Sequence, residues 1–457
     1  MKITTIRSEG LSHLSYFVSS DGEAMVIDPR RDCDVYVELA TIDESDILHI
    51  FETHRNEDYV VGSLELQNLA PSARIGHSAS TSFKYGDDNL HDEDTFSIGG
   101  FKVTVVHTPG HTDDCLCFAV HDYGFSDDTL LLFTGDTLFV NEVGRTDLVD
   151  KSKHEEMSRK LWYSLHEKVL PLGDGVIVYP GHGAGSVCGG AIGSRDFSTI
   201  GYERRNNVWL SMDEEEFVSN KLRQNLTISP YFKRCEKLNT DGPPLIADLD
   251  PIRLLDLSTF EHLADDSNSM ILDTRPASDF ARNHIPKSIS MDLDNMGLFA
   301  GWILYPEYQY LFALNSPMDL EEAAGALYRV GIDSMYGYLN GGFAAWQASG
   351  KRTETLPMYS VDSIISGLSN GTFQLVDVRQ PHETTSYGIE GSSFIPLTTM
   401  NELGMLNPSL PTATICPAGV RSATGASIMK RAGIKLAGIS EYGLKEWKLR
   451  GLPMLRE

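Results

Sequence analysis

A repeat in the second half of the chain constrains its fold more than any other feature. Ile271–Arg275 reads I-L-D-T-R and Leu375–Arg379 reads L-V-D-V-R, while Arg329–Ile332 reads R-V-G-I and Arg431–Ile434 reads R-A-G-I. The two aspartates are 377 − 273 = 104 residues apart, and the late tryptophans, Trp346 and Trp447, are 447 − 346 = 101 apart. Two related units therefore follow one another, and a single core over all 457 residues is excluded. In each copy an apolar strand runs into Asp and Arg and is followed by alternating helices and strands, as in parallel doubly wound α/β folds. The linker-like N-T-D-G-P-P, Asn239–Pro244, sets the repeat off from what precedes it. The expected domains are 1–240, 241–356 and 357–457.

The first of these domains reads as short apolar strands with chemistry at their ends. Ala24–Pro29, Ile47–Thr53, Phe101–Thr108, Leu130–Asp136 and Val176–His182 each finish in a polar or turn-forming group. Strand ends are rigidly placed yet open to solvent, which suits convergent side chains. Helices expected over 154–169 and 212–225 would flank the sheets in a layered α/β domain.

Charge and cysteine usage narrow the function classes. A net charge of −26 repels polyphosphate backbones, so no nucleic-acid partner is expected. No stretch approaches the ~18 apolar residues of a membrane span, and the N-terminal M-K-I-T-T-I-R lacks the apolar core of a signal peptide. Six cysteines without a C-x-x-C pair form no disulfide framework, which points to a reducing, cytoplasmic setting.

One cysteine stands in a distinctive context. A-T-I-C-P-A-G-V-R-S places Cys416 at a strand end, then a tight loop to Arg421, then a helix beginning near Ser422. Amide N–H groups and a helix N-terminus hold such a cysteine as thiolate. Pro417 has no N–H, so the donors fall to 418–422, including Gly419 and Val420. The C-x4-R ring is tighter than the C-x5-R ring of tyrosine phosphatases. In this spacing, in D-V-R at Asp377–Arg379 and in Trp447, the last domain resembles a rhodanese sulfurtransferase. The resemblance implies that Cys416 carries sulfane sulfur and that Arg421, Gly419 and Val420 bind the anion. The same offset in the first copy falls on Leu314, and 241–356 contains no cysteine, so that copy is expected to be an inactive rhodanese.

The first domain carries F-E-T-H-R-N-E-D-Y at Phe51–Tyr59, H-T-P-G-H-T at His107–Thr112, T-G-D at Thr134–Asp136 and Y-P-G-H-G at Tyr179–Gly183. In order and spacing these resemble the metal-binding loops of the metallo-β-lactamase superfamily, whose first loop is T-H-x-H-x-D-H. The implied architecture is an αββα sandwich followed by two rhodanese-like doubly wound α/β domains. Asn56 and Tyr59 stand where the family has histidines, which argues against a dinuclear zinc hydrolase. What remains, His54, His111 and Asp136, is the two-histidine, one-carboxylate set of non-haem Fe(II) oxygenases. Persulfide dioxygenases of this superfamily use that subset. The resemblance therefore implies one Fe(II) per chain, a low-molecular-weight thiol persulfide and O2 as substrates, sulfite or thiosulfate as product, and a homo-oligomer.

Asp58, Tyr59 and His182 are expected around the ligands rather than among them. Arg145, in the similar string Thr137–Leu148, is a candidate for a substrate carboxylate, with an Arg145–Asp147 pair shaping the loop as the competing reading. His107 reads as structural, and Cys115 with Cys117 as core. The alternative function is a sulfurtransferase or sulfur relay whose first domain only binds persulfide or acts as a mononuclear-metal hydrolase.

Overall fold

The computed structural model describes residues 1–457 except 123, 125–127, 385–386, 401–402, 453 and 455–457. The chain divides into two compact units, Met1–Asp248 with Tyr328–Gly331, and Leu249–Leu327 with Ile332–Glu457.

The first unit is built on two six-stranded sheets. Lys2–Ser8, His13–Ser20, Glu23–Ile27, Asp46–Phe51, Arg74–Ser78 and Asp88–Leu90 lie side by side in chain order. The second sheet runs Ser198–Thr199, Ile177–Pro180, Thr129–Gly135, Leu116–Asp122, Phe101–His107, Thr95–Ile98. Side chains alternate across a strand, so each buried strand feeds two cores. Tyr16, Val18, Met25 and Ile27 face Val103, Val105, Phe118 and Phe133 between the sheets. Phe17, Ala24 and Val26 point the other way, onto Tyr36 and Leu66 of the helices Asp34–Ile42 and Ser63–Leu69. Behind the second sheet, Ala119, Leu132 and Val178 pack on Leu161, Leu165 and Phe217. This is the αββα sandwich.

The helix expected over 154–169 is α-helical for His154–Tyr163 and widens to a π-helix over Ser164–Val169. At the junction Ser164 Oγ donates 2.8 Å out to Pro109 O, and π turns of this kind recur at sites where a helix is diverted from its regular ladder. The second expected helix, 212–225, begins at Glu214, because the Asp213 carboxylate caps the N–H of Glu216.

The second unit contains two five-stranded sheets, parallel throughout. Their orders are Arg253–Leu255, Met335–Leu339, Gln309–Ala313, Ser269–Asp273, Ile289–Ser290 and Met358–Tyr359, Leu436–Ser440, Thr412–Ile415, Gln374–Asp377, Ser392–Phe394. The two orders are the same permutation, so the sequence repeat is a repeat of topology. Its aspartates and arginines form the same buried ion pair, 2.6 Å for Arg275–Asp273 and 2.6 Å for Arg379–Asp377. Trp346 and Trp447 fill corresponding cores on the helices Gly342–Ala348 and Gly443–Leu449. Ala277, Phe280, Ala281 and Leu356 of the first copy share a further core with Ala423, Ala426 and Ile439 of the second.

Candidate metal site and cysteine loop

The strands of the first unit deliver five polar groups to one place. His54 and Asp58 follow Asp46–Phe51, His111 follows Phe101–His107, Asp136 follows Thr129–Gly135 and His182 follows Ile177–Pro180. All five are buried.

A chain of hydrogen bonds orients each imidazole. Asp28 accepts the Thr53 N–H at 2.8 Å and the Thr53 hydroxyl at 2.7 Å. With its proton committed to Asp28, the Thr53 oxygen accepts from His54 Nδ1 at 2.9 Å. His111 Nδ1 donates to Arg145 O at 2.9 Å, and His182 Nδ1 to Asp136 Oδ1 at 2.8 Å. His54 and His111 are thus each held in the tautomer that leaves Nε2 facing the site, the state a metal ligand requires, while His182 is braced between Asp136 and Asp58.

The bare atoms converge. One ligand atom from each of His54, His111 and Asp136 lies within 4.8 Å of the others, and His111 Nε2 stands 3.5 Å from Asp136 Oδ2. His54 Nε2, His111 Nε2 and Asp136 Oδ2 are buried without a hydrogen-bond partner. Orphaning three buried polar atoms is costly. A shared cation satisfies all three, so this donor set fits a metal ion. Gly144 makes the approach possible, since a Cβ there would sit 2.1 Å from Asp136 O and 3.1 Å from the His111 Cβ.

The carboxylates around the site favour positive charge at its centre, carried by an imidazolium or by a cation that displaces its proton. Burial pushes the Asp136 carboxyl up, but His182, His111 and His54 outweigh it and keep it well below the usual carboxylate range. Burial likewise lowers His111, yet Glu57 and Asp136 raise it to about 9. Glu57, pushed up by burial, is pulled to about 2 by His111 and His54.

Two residues here escaped sequence reasoning. Glu57 Oε1 is 3.3 Å from His111 Nε2, and Glu57 Oε2 is 3.8 Å from His54 Nε2. Cys188 Sγ is 3.4 Å from Glu57 Oε1, and completes two further triples, with Glu57 and His111 and with Asp58 and His182. Spacing could not flag Glu57, because it occupies a position the T-H-x-H-x-D-H pattern leaves free. Cys188 carried one signal, its place six residues after His182 in the glycine-rich G-H-G-A-G-S-V-C-G.

The remaining expected residues fall as follows. His182 Nε2 lies 2.9 Å from Asp58 Oδ2. Tyr59 stacks on His13 with ring centroids 3.9 Å apart. Asn56 turns away, its Nδ2 donating to His54 O at 3.1 Å. Arg145 is not open to a substrate carboxylate, which corrects the substrate-contact expectation. Nε and Nη2 grip Asp147 at 2.7 and 2.8 Å, and the remaining N–H groups go to the carbonyls of Val187, Thr227 and Leu226. Five donors are spent inside the protein, leaving none for a ligand. His107 Nε2 is bonded to Asp113 O at 3.0 Å, away from the site, and Cys117 lies in the apolar core.

In the second unit, Cys416 follows the strand Thr412–Ile415, and Gly419 N–H donates to its Sγ at 3.1 Å. Gly419, at φ +89°, turns the chain into the helix Val420–Arg431. Arg421 is held by both oxygens of Glu383 at 2.5 and 2.8 Å. In the first copy Leu314 follows the strand Gln309–Ala313 in the place of Cys416. Five residues on, where the second copy has Arg421, stands Asp319, whose carboxylate accepts the Ser316 N–H at 2.9 Å. That loop binds its own anion.

The family matches fall on the first domain and on the copy without a cysteine. Residues 9–182 match the metallo-beta-lactamase superfamily, and residues 256–349 match the rhodanese-like domain. The mitochondrial persulfide dioxygenases ETHE1 of Bos taurus and Homo sapiens are each 29% identical to this chain, over 209 and 211 residues. Each alignment spans 45% of this chain and 73% of the relative. A crystal structure of a metallo-beta-lactamase from Staphylococcus aureus superposes with TM-score 0.66 at 27% identity, covering 74% of this chain and 98% of that one. Homology to persulfide dioxygenases, together with a rhodanese domain, supports a function in sulfur metabolism and an enzyme that binds a metal. Residues 9–182 thus form a metallo-beta-lactamase-type domain, and residues 256–349 of the same chain a rhodanese-like domain.

Proposed function

We propose that the chain oxidises a low-molecular-weight thiol persulfide with O2 at a single Fe(II) held by His54, His111 and Asp136, and handles sulfane sulfur at Cys416. The balance is RSSH + O2 + H2O giving RSH and H2SO3, with sulfane sulfur oxidised and O2 fully reduced. The observation that carries the reading is the convergence of three partnerless, buried ligand atoms whose ring tautomers are already fixed. Ferrous iron, when bound there, supplies the redox chemistry between sulfur and O2.

The chain's own residues do the positioning. Asp28 through Thr53, and the Arg145 carbonyl, hold the two imidazoles still. His182 orients Asp136, and burial keeps bulk water from the reacting sulfur. At Cys416, sulfite attacks the outer sulfur of an enzyme persulfide, the S–S bond breaks, and thiosulfate leaves as the thiolate is restored. The Gly419 N–H points at the sulfur, and the Arg421 guanidinium, held by Glu383, adds positive charge near the developing anion. Six free cysteines fit a reducing compartment.

Iron-loaded protein given glutathione persulfide should consume O2 and contain about one iron per chain. His111→Ala should lose both while keeping thiosulfate:cyanide sulfur transfer, and Cys416→Ser should lose only the transfer. Oxygen uptake no faster than without enzyme overturns the oxygenase reading and leaves the sulfurtransferase. Transfer that survives Cys416→Ser overturns the role of the loop.

A further inference from the structure

The loop Phe51–Tyr59 lost an imidazole at position 56, and the structure shows what took its place. Asn56 N–H donates to His54 O at 3.0 Å, closing a three-residue turn, and the Asn56 side chain folds back on the same carbonyl. Asn239 fixes this course from outside. Its Nδ2 donates to Asn56 O at 2.6 Å and to Tyr59 O at 2.7 Å, and its Oδ1 accepts the Val61 N–H at 2.9 Å. The turn sends residue 56 outward and residue 57 inward.

Glu57 therefore enters the space between the two ligand imidazoles. Its residue is 4% exposed, and its Oε2 has no hydrogen-bond partner. Oε1 is 3.3 Å from His111 Nε2, and Oε2 is 3.8 Å from His54 Nε2, separations that groups sharing one cation show. A purely structural carboxylate would satisfy its second oxygen, because a buried anion with a spare lone pair is costly. Instead both oxygens point at atoms that are themselves waiting for a partner.

We infer that Glu57 is a fourth protein ligand of the metal held by His54, His111 and Asp136, replacing the imidazole absent at position 56. The inference rests on the metal-site reading above. Two imidazoles and two carboxylates make a harder donor set than the superfamily pattern, and two carboxylates cancel the charge of a divalent ion. Such a site favours Fe(II) or Mn(II) over softer competitors.

Cobalt(II) titration of the full chain, followed by d–d absorption and chelator competition, tests this without measuring turnover. Wild type should bind one equivalent. Glu57→Gln, which keeps size and removes charge, should weaken cobalt by more than about tenfold, the loss typical even of an outer-shell partner, and change the absorption envelope. A change in affinity and spectrum confined to Cys188→Ser, with Glu57→Gln like wild type, would assign the position to the thiol and overturn the inference. Glu57→Asp, with the same charge and a shorter reach, should fall between wild type and Glu57→Gln. It decides the matter if the amide variant melts early without metal. Wild-type affinity and spectrum in both Glu57 variants, with binding lost in His111→Ala, would overturn the fourth ligand and leave the three-ligand site standing. No cobalt bound by wild type would overturn both.

Discussion

Thr53 shows how little of a metal site need touch the metal. Its hydroxyl donates to Asp28 and accepts from His54 Nδ1, so one oxygen fixes the tautomer and the plane of a ligand ring. Thr53→Val keeps the shape and removes that oxygen. His54 then retains Nε2 but loses its orientation, and metal affinity should fall about 10- to 100-fold. Chelator competition would measure this, while Cys416-dependent sulfur transfer should not change. That His54, His111 and Asp136 converge was readable because each follows a strand within a motif whose spacing is rigid. Glu57 was not, because the direction of its side chain is set by a turn that depends on Asn239, more than 180 positions away in the chain. Arg145 failed in the opposite way. Its residue type suited a substrate carboxylate, but only the fold reveals that three carbonyls and Asp147 already use its donors.

At the level of elements, the cysteine loop depends on a single left-handed residue. Gly419 has φ +89°, and a Cβ there would meet Glu441 O at 2.7 Å. Gly419→Ala should therefore cost about 1–3 kcal/mol in strain. It should also pull the N–H away from Cys416 Sγ, so that sulfur transfer falls more than stability does. Denaturant midpoints and transfer rates on the same variant separate the two effects. Strands in this protein were legible wherever both faces are apolar, as in Gln374–Asp377 and Thr129–Gly135. Element ends were less so. The helix over 154–169 keeps its apolar spacing through the π segment, because hydrophobic periodicity reports which face is buried and not which carbonyl each N–H reaches.

On the scale of the whole molecule, the copy without a cysteine still has work to do in packing. Its helix Ala277–Arg282 lies against Val420–Arg431, the helix that begins at the cysteine loop, through Ala277, Ala281, Ala423 and Ala426. Small residues allow this close approach but leave no sequence periodicity to announce it, so the repeat was legible while the shared core was not. Backbone pairing of His284 with Glu354, and the Lys430–Glu354 ion pair at 2.7 Å, continue the same contact. His284 makes that contact sensitive to acid. Burial outweighs its bond to Phe280 O and lowers its pKa to about 4, with Lys430 and Arg275 adding to the effect. A histidine whose folded pKa lies below its unfolded value binds more protons when unfolded. The stability it contributes is therefore whole above pH 6.5 and is lost as pH falls from 6.5 toward 4. Between pH 7 and pH 5 the second unit should lose up to ~2 kcal/mol from this group. Urea midpoints at the two pH values would show the loss, and His284→Gln, which can still donate to Phe280 O, should remove most of the difference. An unchanged pH dependence in that variant would place the acid sensitivity elsewhere.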